Sequence, residues 1–218
     1  KPTDSDFINL INDKSLLLKI LDSNEFSDYN YLNVLLNMCI KNGNFKVIDT
    51  ILLSKHAKDT LYTLLKYSKQ EFILDYSETI IEIVSKANES IKEECSALTV
   101  EILKLAATLS GIREKLLPEV IEFAKKGFIG MDIKKVMNIF KSKQFTNEEK
   151  IKVLKAISSN ISGCHFYYED IIGLFNEIDW KNNFDDFNEL IAMYRKHDPD
   201  LSAKLYDNFK LKYRLIHS

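Results

Sequence analysis

The 218-residue sequence has few chain-reversing residues and no long hydrophobic run. Six glycines and three prolines are too few for the many tight turns of an all-β protein, and they exclude collagen-like and low-complexity chains. The apolar stretches are far shorter than the ~20 residues that span a bilayer, and no signal peptide is recognisable. Because 45% of the residues are hydrophobic, the chain can still bury a sizeable core. Together these features predict a soluble, mainly helical protein with no membrane insertion.

Cysteine is also scarce, and the three residues present do not suggest a disulfide framework. Cys39, Cys95 and Cys164 are odd in number, widely spaced, and each lies in or beside an apolar run. We therefore expect buried thiols and a reducing, cytoplasmic compartment. The sequence starts at Lys1 without a methionine, from which we expect a fragment of a longer protein.

Apolar residues recur at helical spacing along the whole chain, and alternation with a period of two persists nowhere. The spacing predicts N-terminal capping helices over 1–26, helical hairpins over 27–198 and a C-terminal capping helix over 199–218. Connections of bundle length join them, so we expect one domain spanning 1–218.

Two capping boxes mark predicted helix starts, one in the middle of the chain and one nearer its C-terminal end. Ser90 and Glu93 precede a long apolar stripe, and Thr146 and Glu149 precede a second amphipathic segment. Pro118 is expected in the first turn of a helix, where proline is tolerated.

Helical pairs that cannot cover their own apolar faces must stack side by side. The predicted fold class is therefore all-α, with stacked antiparallel helical hairpins that form a short irregular α-solenoid.

Two segments resemble known helical repeats. The segment SIKEECSALTVEILKLAATLSGIREKLLPEVIEFAKKG, residues 90–127, resembles a HEAT or armadillo repeat. The segment YLNVLLNMCIKNGNFKVIDTILL, residues 31–53, looks like a pentatricopeptide hairpin and also like an ankyrin one. HEAT, armadillo and ankyrin resemblance implies protein binding, whereas pentatricopeptide resemblance implies reading of single-stranded RNA.

The internal spacing favours the irregular type of array. CIKNGNFKVID is echoed by FAKKGFIGMDI, and the match of Lys41 with Lys126 gives an offset of 85 residues, which is no multiple of the roughly 33 or 34 residues of ankyrin or tetratricopeptide units. The HEAT/armadillo-like interpretation is therefore preferred. Because the array is irregular, no individual binding residue of those families can be assigned to a position in this sequence.

Charge is segregated along the chain although the net charge is only -2. Nine lysines and three acids occupy 125–155, between the acidic blocks 71–101 and 166–200. A basic band could attract an acidic protein segment, a phosphoinositide or an RNA backbone, although a solvated face balanced by its neighbours is the commoner arrangement. The candidate partner-binding lysines are Lys125, Lys126, Lys134, Lys135, Lys141 and Lys143.

Aromatic residues cluster towards the C-terminus, from Phe166 to Tyr194. Packing in the core is the expected role of most of them. Trp180 in a predicted connection and Tyr168 beside an apolar helix face are the candidates for an exposed binding residue.

No catalytic motif is recognisable. The four histidines are scattered, the adjacent Cys164 and His165 should point in different directions, and there is no HExxH, GxGxxG, phosphate-binding loop or GxSxG pattern. We therefore expect no catalysis, no cofactor and no metal. The predicted function is a protein–protein interaction or scaffold module; the alternatives are an RNA-binding helical repeat and a helical positioning domain of a larger effector or enzyme.

Overall fold

A computed structural model describes residues 29–214 and, before them, only the isolated residues 9, 13, 15, 16, 18 and 19. The described part contains twelve α-helices, so the predicted all-α class is confirmed. Residue contacts divide the chain into two compact units, Lys1–Lys92 and Glu93–Ser218. The single domain over 1–218 stays a prediction, and the predicted capping helices of 1–26 fall almost entirely outside the described residues.

The first unit contains five described helices. They are α1 (Tyr29–Lys41), α2 (Phe45–Leu52), α3 (Ala57–Tyr67), α4 (Gln70–Asp75) and α5 (Ser77–Ser90). The predicted hairpin of α1 and α2 is confirmed, and Gly43 reverses the chain between them with a φ of 64°. α1 packs on α3, and α2 and α3 both pack on α5.

The second unit contains seven helices and two very short strands. The helices are α6 (Ser96–Thr108), α7 (Arg113–Lys125), α8 (Ile133–Lys141), α9 (Asn147–Ser159), α10 (Tyr168–Asn176), α11 (Phe184–His197) and α12 (Pro199–Arg214). The strands are β1 (Phe128–Ile129) and β2 (Ile161–Ser162). Short 3₁₀ turns cover Ser110–Ile112, Gly130–Asp132 and Cys164–Phe166.

Helices of the second unit pack in two rows. α6, α8, α10 and α12 contact one another in succession, and so do α7, α9 and α11. Large side chains are fully buried in this unit, among them Phe123, Phe140, Phe187 and Tyr194. This arrangement, in which each helix packs on the helix two places further along the chain, is compatible with a short solenoid.

Polar contacts join successive hairpins at a nearly constant separation in the sequence. The Asn147 side-chain amide donates to the Asp179 carbonyl, 32 positions away. The Ser158 hydroxyl donates to the Tyr194 hydroxyl, 36 positions away, and the Asn160 amide donates to the Lys126 carbonyl, 34 positions away. These contacts tie each hairpin of the second unit to the next.

A two-residue parallel bridge between β1 and β2 is the part of this fold that the sequence did not predict. Phe128 pairs with Ile161, and Ile129 pairs with Ser162. Two residues are too short for a pattern of alternating burial, so hydrophobic periodicity carries no signal for them. The bridge links the connection between α7 and α8 to the connection between α9 and α10.

The predicted helix start at Ser90 is wrong. Ser90 ends α5, and α6 begins only at Ser96, because residues 91–95 form an irregular connection. In that connection the Glu94 carboxylate accepts a hydrogen bond from the Ser96 N–H, and the Cys95 thiol donates to the Glu93 carbonyl at 3.0 Å. Ser90 and Glu93 therefore have the spacing of a capping box, but no helix begins at Ser90.

The second capping box is confirmed. Thr146 Oγ1 accepts from the Glu149 N–H at 3.2 Å, and Glu149 Oε2 accepts from the Thr146 N–H at 2.7 Å. Both partners of the box therefore stabilise the start of α9.

Pro118 does not lie in a first turn as expected but inside α7, five residues after the helix begins at Arg113. The proline ring is exposed, so it does not disturb the core.

Among the described residues, no helix is both long and apolar enough to cross a membrane.

Candidate binding surface

The bridge between β1 and β2 sets two turns side by side at one edge of the second unit. The N–H of Phe128 donates to the Asn160 carbonyl at 2.9 Å, and Phe128 itself is fully buried. A Cβ atom on Gly130 would lie 2.7 Å from the Tyr167 ring and 3.1 Å from the Gly163 carbonyl oxygen. The turn that precedes α8 is therefore in direct contact with the turn that precedes α10.

Asp132 anchors the first of these turns. Its side chain is 6% exposed. The carboxylate accepts a hydrogen bond from the Ser96 hydroxyl and forms an ion pair with Lys135 Nζ at 2.6 Å. A buried carboxylate needs such partners, because an unpaired one is costly to desolvate. The start of α8 is thereby fixed against the start of α6.

Large apolar side chains project from the two turns into solvent. Met131 is 58% exposed and Phe166 is 76% exposed. The ring centroids of His165 and Phe166 lie 3.8 Å apart. Side chains this exposed bury only a minor part of their surface within the chain, and exposed aromatic residues are common anchors in protein interfaces.

Four of the six candidate lysines lie at this edge. Lys125 and Lys126 end α7, and Lys134 and Lys135 are in the first turn of α8. We use the name turn surface for the following set: Lys125, Lys126, Met131, Lys134, Lys135, His165 and Phe166.

Some charges of the turn surface are already partnered. Lys125 Nζ lies 2.6 Å from Glu122 Oε1, and Lys126 Nζ lies 4.4 Å from the centre of the Phe123 ring. Lys135 is held by Asp132, as described above. Lys134 is exposed, and no carboxylate of the described chain forms an ion pair with it.

Lys141 and Lys143 do not join the turn surface. Lys141 ends α8 and Lys143 follows it, at the end of the helix opposite to Lys134. Seven residues of helix from Lys134 to Lys141 correspond to ~10 Å along the axis. The six lysines therefore do not meet at one place.

The other three lysines of the block are paired or buried, and Lys152 pairs with Glu148 of its own helix. Lys155 forms ion pairs with Asp186 at 2.7 Å and with Glu189 at 2.5 Å, both on α11. Lys150 is 9% exposed and donates to the Glu177 carbonyl at 2.9 Å, and burial lowers the pKa of its ammonium group. The nine lysines of 125–155 therefore do not form one solvent-exposed basic band.

Trp180 is not an exposed binding residue, although it does lie in the connection between α10 and α11. It is 2% exposed, its indole N–H donates to the Phe175 carbonyl at 2.9 Å, and its ring lies 5.5 Å from those of Phe175 and Phe187. The adjacent backbone is held as well, since the Trp180 N–H donates to the Tyr213 hydroxyl at 2.7 Å. Trp180 therefore has the packing role that the sequence favours for most of these aromatic residues.

Tyr168 is half-buried and is also occupied within the fold. Its hydroxyl donates to the Asp198 carboxylate, 2.7 Å from both oxygens, and Lys204 Nζ lies 4.5 Å from the centre of its ring. The hydrogen bond to Asp198 raises the pKa of Tyr168 to about 12. Asp198 in turn caps α12, because it accepts from the Leu201 N–H at 3.0 Å.

Cys164 and His165 do not form a nucleophilic pair. Cys164 is buried, and burial followed by the nearby Asp198 charge raises the pKa of its thiol, which opposes thiolate formation. His165 is exposed, and its ring contacts that of Phe166 in a tilted arrangement with an angle of 46° between the ring planes. Within the described ranges, no group of three His, Cys, Asp or Glu side chains could hold a metal ion.

Comparisons of this chain with protein-family models, with curated proteins and with solved structures each found no match.

The sequence did not indicate that Met131 and Phe166 are exposed, and it suggested a core role for Phe166. A signal was present: each follows a glycine in a short connection between helices, at Gly130 and Gly163. Without the contact between the two turns, nothing showed that these connections lie together.

Proposed function

We propose that the chain is a helical-repeat protein-binding module with no catalysis of its own, and that its partner binds at the turn surface. The observation that carries the proposal is the exposure of Phe166 and Met131 on turns held by the β1–β2 bridge, with four lysines in the segments that flank the first of these turns along the chain. Two rows of stacked helices, linked at separations of 32 to 36 residues, support an irregular solenoid as the scaffold.

The chemistry of the turn surface suits an acidic segment that carries an apolar side chain. Phe166 and Met131 supply apolar contact area, and Lys134 supplies a positive charge that is not consumed by an ion pair in the described chain. Ion pairs of exposed lysines are weak, so Lys125 can exchange Glu122 for a carboxylate of the partner at little cost.

Affinity capture from extract, followed by reconstitution with the purified partner, tests the proposal. We expect the double substitution Met131→Ser and Phe166→Ser to raise the Kd of the reconstituted complex by about tenfold or more, as for central interface residues. Leu53→Ser is the matched control, because Leu53 is 81% exposed in the first unit. Equal affinity of the double variant and the control would refute the proposed surface.

RNA binding is the second candidate, since an exposed aromatic ring such as that of Phe166 is also a platform on which single-stranded bases stack. Titration of a labelled single-stranded RNA at low salt separates the two functions. We expect no binding; salt-dependent binding that Phe166→Ser abolishes would favour the RNA function instead.

A further inference from the structure

A second surface of the same unit lies between α7 and α9, and it meets the turn surface through the ion pair of its residue Glu122 with Lys125. It is a groove with a volume of about 550 Å³. α7 supplies Glu114, Leu117, Pro118, Ile121 and Glu122, and the start of α9 supplies Thr146, Glu148, Glu149 and Lys152.

The α7 side of the groove is a single helix face. Its five lining residues follow one another at steps of three, one, three and one, which places them on one stripe of an α-helix. Leu117, Pro118 and Ile121 form an apolar centre in this stripe, with a glutamate at each end.

The rim of the groove is acidic. Four glutamates line it against one lysine, Lys152. Glu148 pairs with Lys152 at 2.6 Å and Glu122 pairs with Lys125 at 2.6 Å, and all four of these side chains are at least half exposed. Such exposed pairs contribute little, so a cationic partner can displace either lysine.

Pro118 adds a further hydrogen-bond acceptor. Proline has no N–H, so the carbonyl oxygen of Glu114 lacks the donor that residue 118 would otherwise supply in the helix. The carboxylate of Glu114 forms no ion pair with any residue of the described chain. Two acceptors of one residue are therefore available beside the apolar centre.

We propose that the groove between α7 and α9 binds a basic segment of a partner protein, in which an apolar side chain is flanked by arginine or lysine. The apolar side chain would contact Leu117, Pro118 and Ile121, and the flanking cations would pair with Glu114 and Glu148. Charge complementarity commits the groove to a cationic occupant, whereas the turn surface suits an acidic one.

Fluorescence anisotropy with a short labelled peptide of leucine and arginine tests this site on the whole chain. Serine replaces leucine in one control peptide, and glutamate replaces arginine in another. We expect only the leucine–arginine peptide to bind the unsubstituted protein. Equal binding of the serine peptide would overturn the proposal, because attraction would then need no apolar groove, and so would a complete lack of binding.

Charge-matched variants locate the binding. We expect Glu114→Gln combined with Glu148→Gln to raise the Kd of the peptide about tenfold, since two ion pairs are lost. Asp185→Asn combined with Glu169→Gln removes the same charge from exposed positions outside the groove and should change the Kd less than about twofold. Similar weakening by both double variants would overturn the proposal.

A methyl signal provides a readout independent of charge. We expect the ¹³C-methyl resonance of Ile121 to shift when the leucine–arginine peptide is added, while that of the fully buried Ile102 stays in place. An unmoved Ile121 signal at saturating peptide would contradict binding in the groove. The variant Met131→Ser with Phe166→Ser should bind the peptide normally, so failure of this proposal is distinguishable from failure of the turn surface.

Discussion

At the scale of single residues, several polar side chains of the second unit are used to close helix ends. Lys150 reaches from α9 to the carbonyl of Glu177, just after the end of α10, and its ammonium lies 5.7 Å from the centre of the Phe140 ring. A cation at a helix C-terminus is favourable, but its burial is unfavourable, and burial lowers the pKa of Lys150. The favourable position at the helix end and the unfavourable burial therefore oppose each other at Lys150 Nζ.

Substitution of Lys150 separates its packing from its charge. We expect Lys150→Met to change the free energy of unfolding by less than about 1 kcal/mol, because the stem remains and the desolvation cost disappears. Lys150→Ala should lower it by about 2 kcal/mol, since the stem that fills the space beside Phe140 is lost. Urea denaturation followed by circular dichroism measures both. Equal destabilisation by Met and Ala would show that the hydrogen bond dominates.

Asp198 predicts a specific acid dependence. Burial, the largest single influence, would raise the pKa of its carboxyl group, but hydrogen bonds from the Leu201 N–H and from the Tyr168 hydroxyl lower it overall. A lowered carboxyl pKa contributes stability that is complete above the unfolded value of ~4 and is lost as the pH falls through the folded value.

We therefore expect Asp198→Asn to reduce the free energy of unfolding at neutral pH by about 1 kcal/mol or more and to flatten its pH dependence below pH ~4. Thermal unfolding at a series of pH values measures this. Asp207→Asn, the same change at an exposed position of α12, is the control. A profile of Asp198→Asn that parallels the control would contradict this assignment.

The sequence could not predict which side chains contact one another in the candidate site. The periodicity identifies the lysines of 125–155 as polar positions, but the acids that balance Lys155 come from α11, one hairpin further on. Nor does spacing show that Trp180 folds back onto Phe175. Such contacts depend on how hairpins stack, which hydrophobic periodicity within one helix does not encode.

At the scale of elements, the sequence predicts helices better than their ends. The start of α9 was predicted, because both members of its capping box also fit the apolar stripe that follows. The start of α6 was not predicted. Ile91 and Cys95 lie in an irregular connection, but both are buried, and their spacing continues the apolar stripe of α6 in the sequence. The sequence alone does not distinguish a buried apolar residue in a connection from one on the buried face of a helix.

Gly130 is required by the contact between the two turns. A Cβ atom at this position would lie 2.7 Å from the Tyr167 ring and 3.1 Å and 3.2 Å from two carbonyl oxygens. We expect Gly130→Ala to lower the free energy of unfolding by about 1 to 3 kcal/mol, as for other overpacked sites. Gly111→Ala is the control: nothing lies within 4 Å of its Cβ position, so the change should be neutral or slightly stabilising. Thermal melts of both variants check the difference.

The proline inside α7 is a local weakness of that helix. We expect Pro118→Ala to raise the free energy of unfolding by about 1 to 3 kcal/mol, because an N–H is restored opposite the Glu114 carbonyl and the exposed ring has no core contact to lose. Chemical denaturation measures the gain. A loss of stability would mean that the restriction of the unfolded chain by proline outweighs the missing hydrogen bond.

At the scale of the whole molecule, the second unit ends in an aromatic cluster that depends on its last helix. Phe209 of α12 stacks on Phe187 of α11 with ring centroids 4.3 Å apart, and Leu201 and Leu205 of α12 are buried. Stacked hairpins cover one another only in succession, so the last element shields the one before it.

Truncation after His197 removes this cover. We expect the shortened chain to bind a hydrophobic dye such as anilinonaphthalene sulfonate and to melt at a lower temperature, because Phe187 and its neighbours become exposed. Fluorescence of Trp180, the single tryptophan, reports on the same region. A chain truncated after Arg214, which keeps the whole of α12, is the control for shortening the chain. Unchanged dye binding after removal of α12 would contradict the role of this helix as a cover.

The main-chain bridge between β1 and β2 has a consequence for the binding proposed at the turn surface. The bridge consists of backbone pairs, and Met131 and Phe166 leave the turns beyond it and bury only a minor part of their surface. Their identities can therefore vary with little penalty to folding, while their positions stay fixed to the scaffold. Under the proposed function, exchanging these two side chains would therefore change the specificity at this edge without any redesign of the helices beneath.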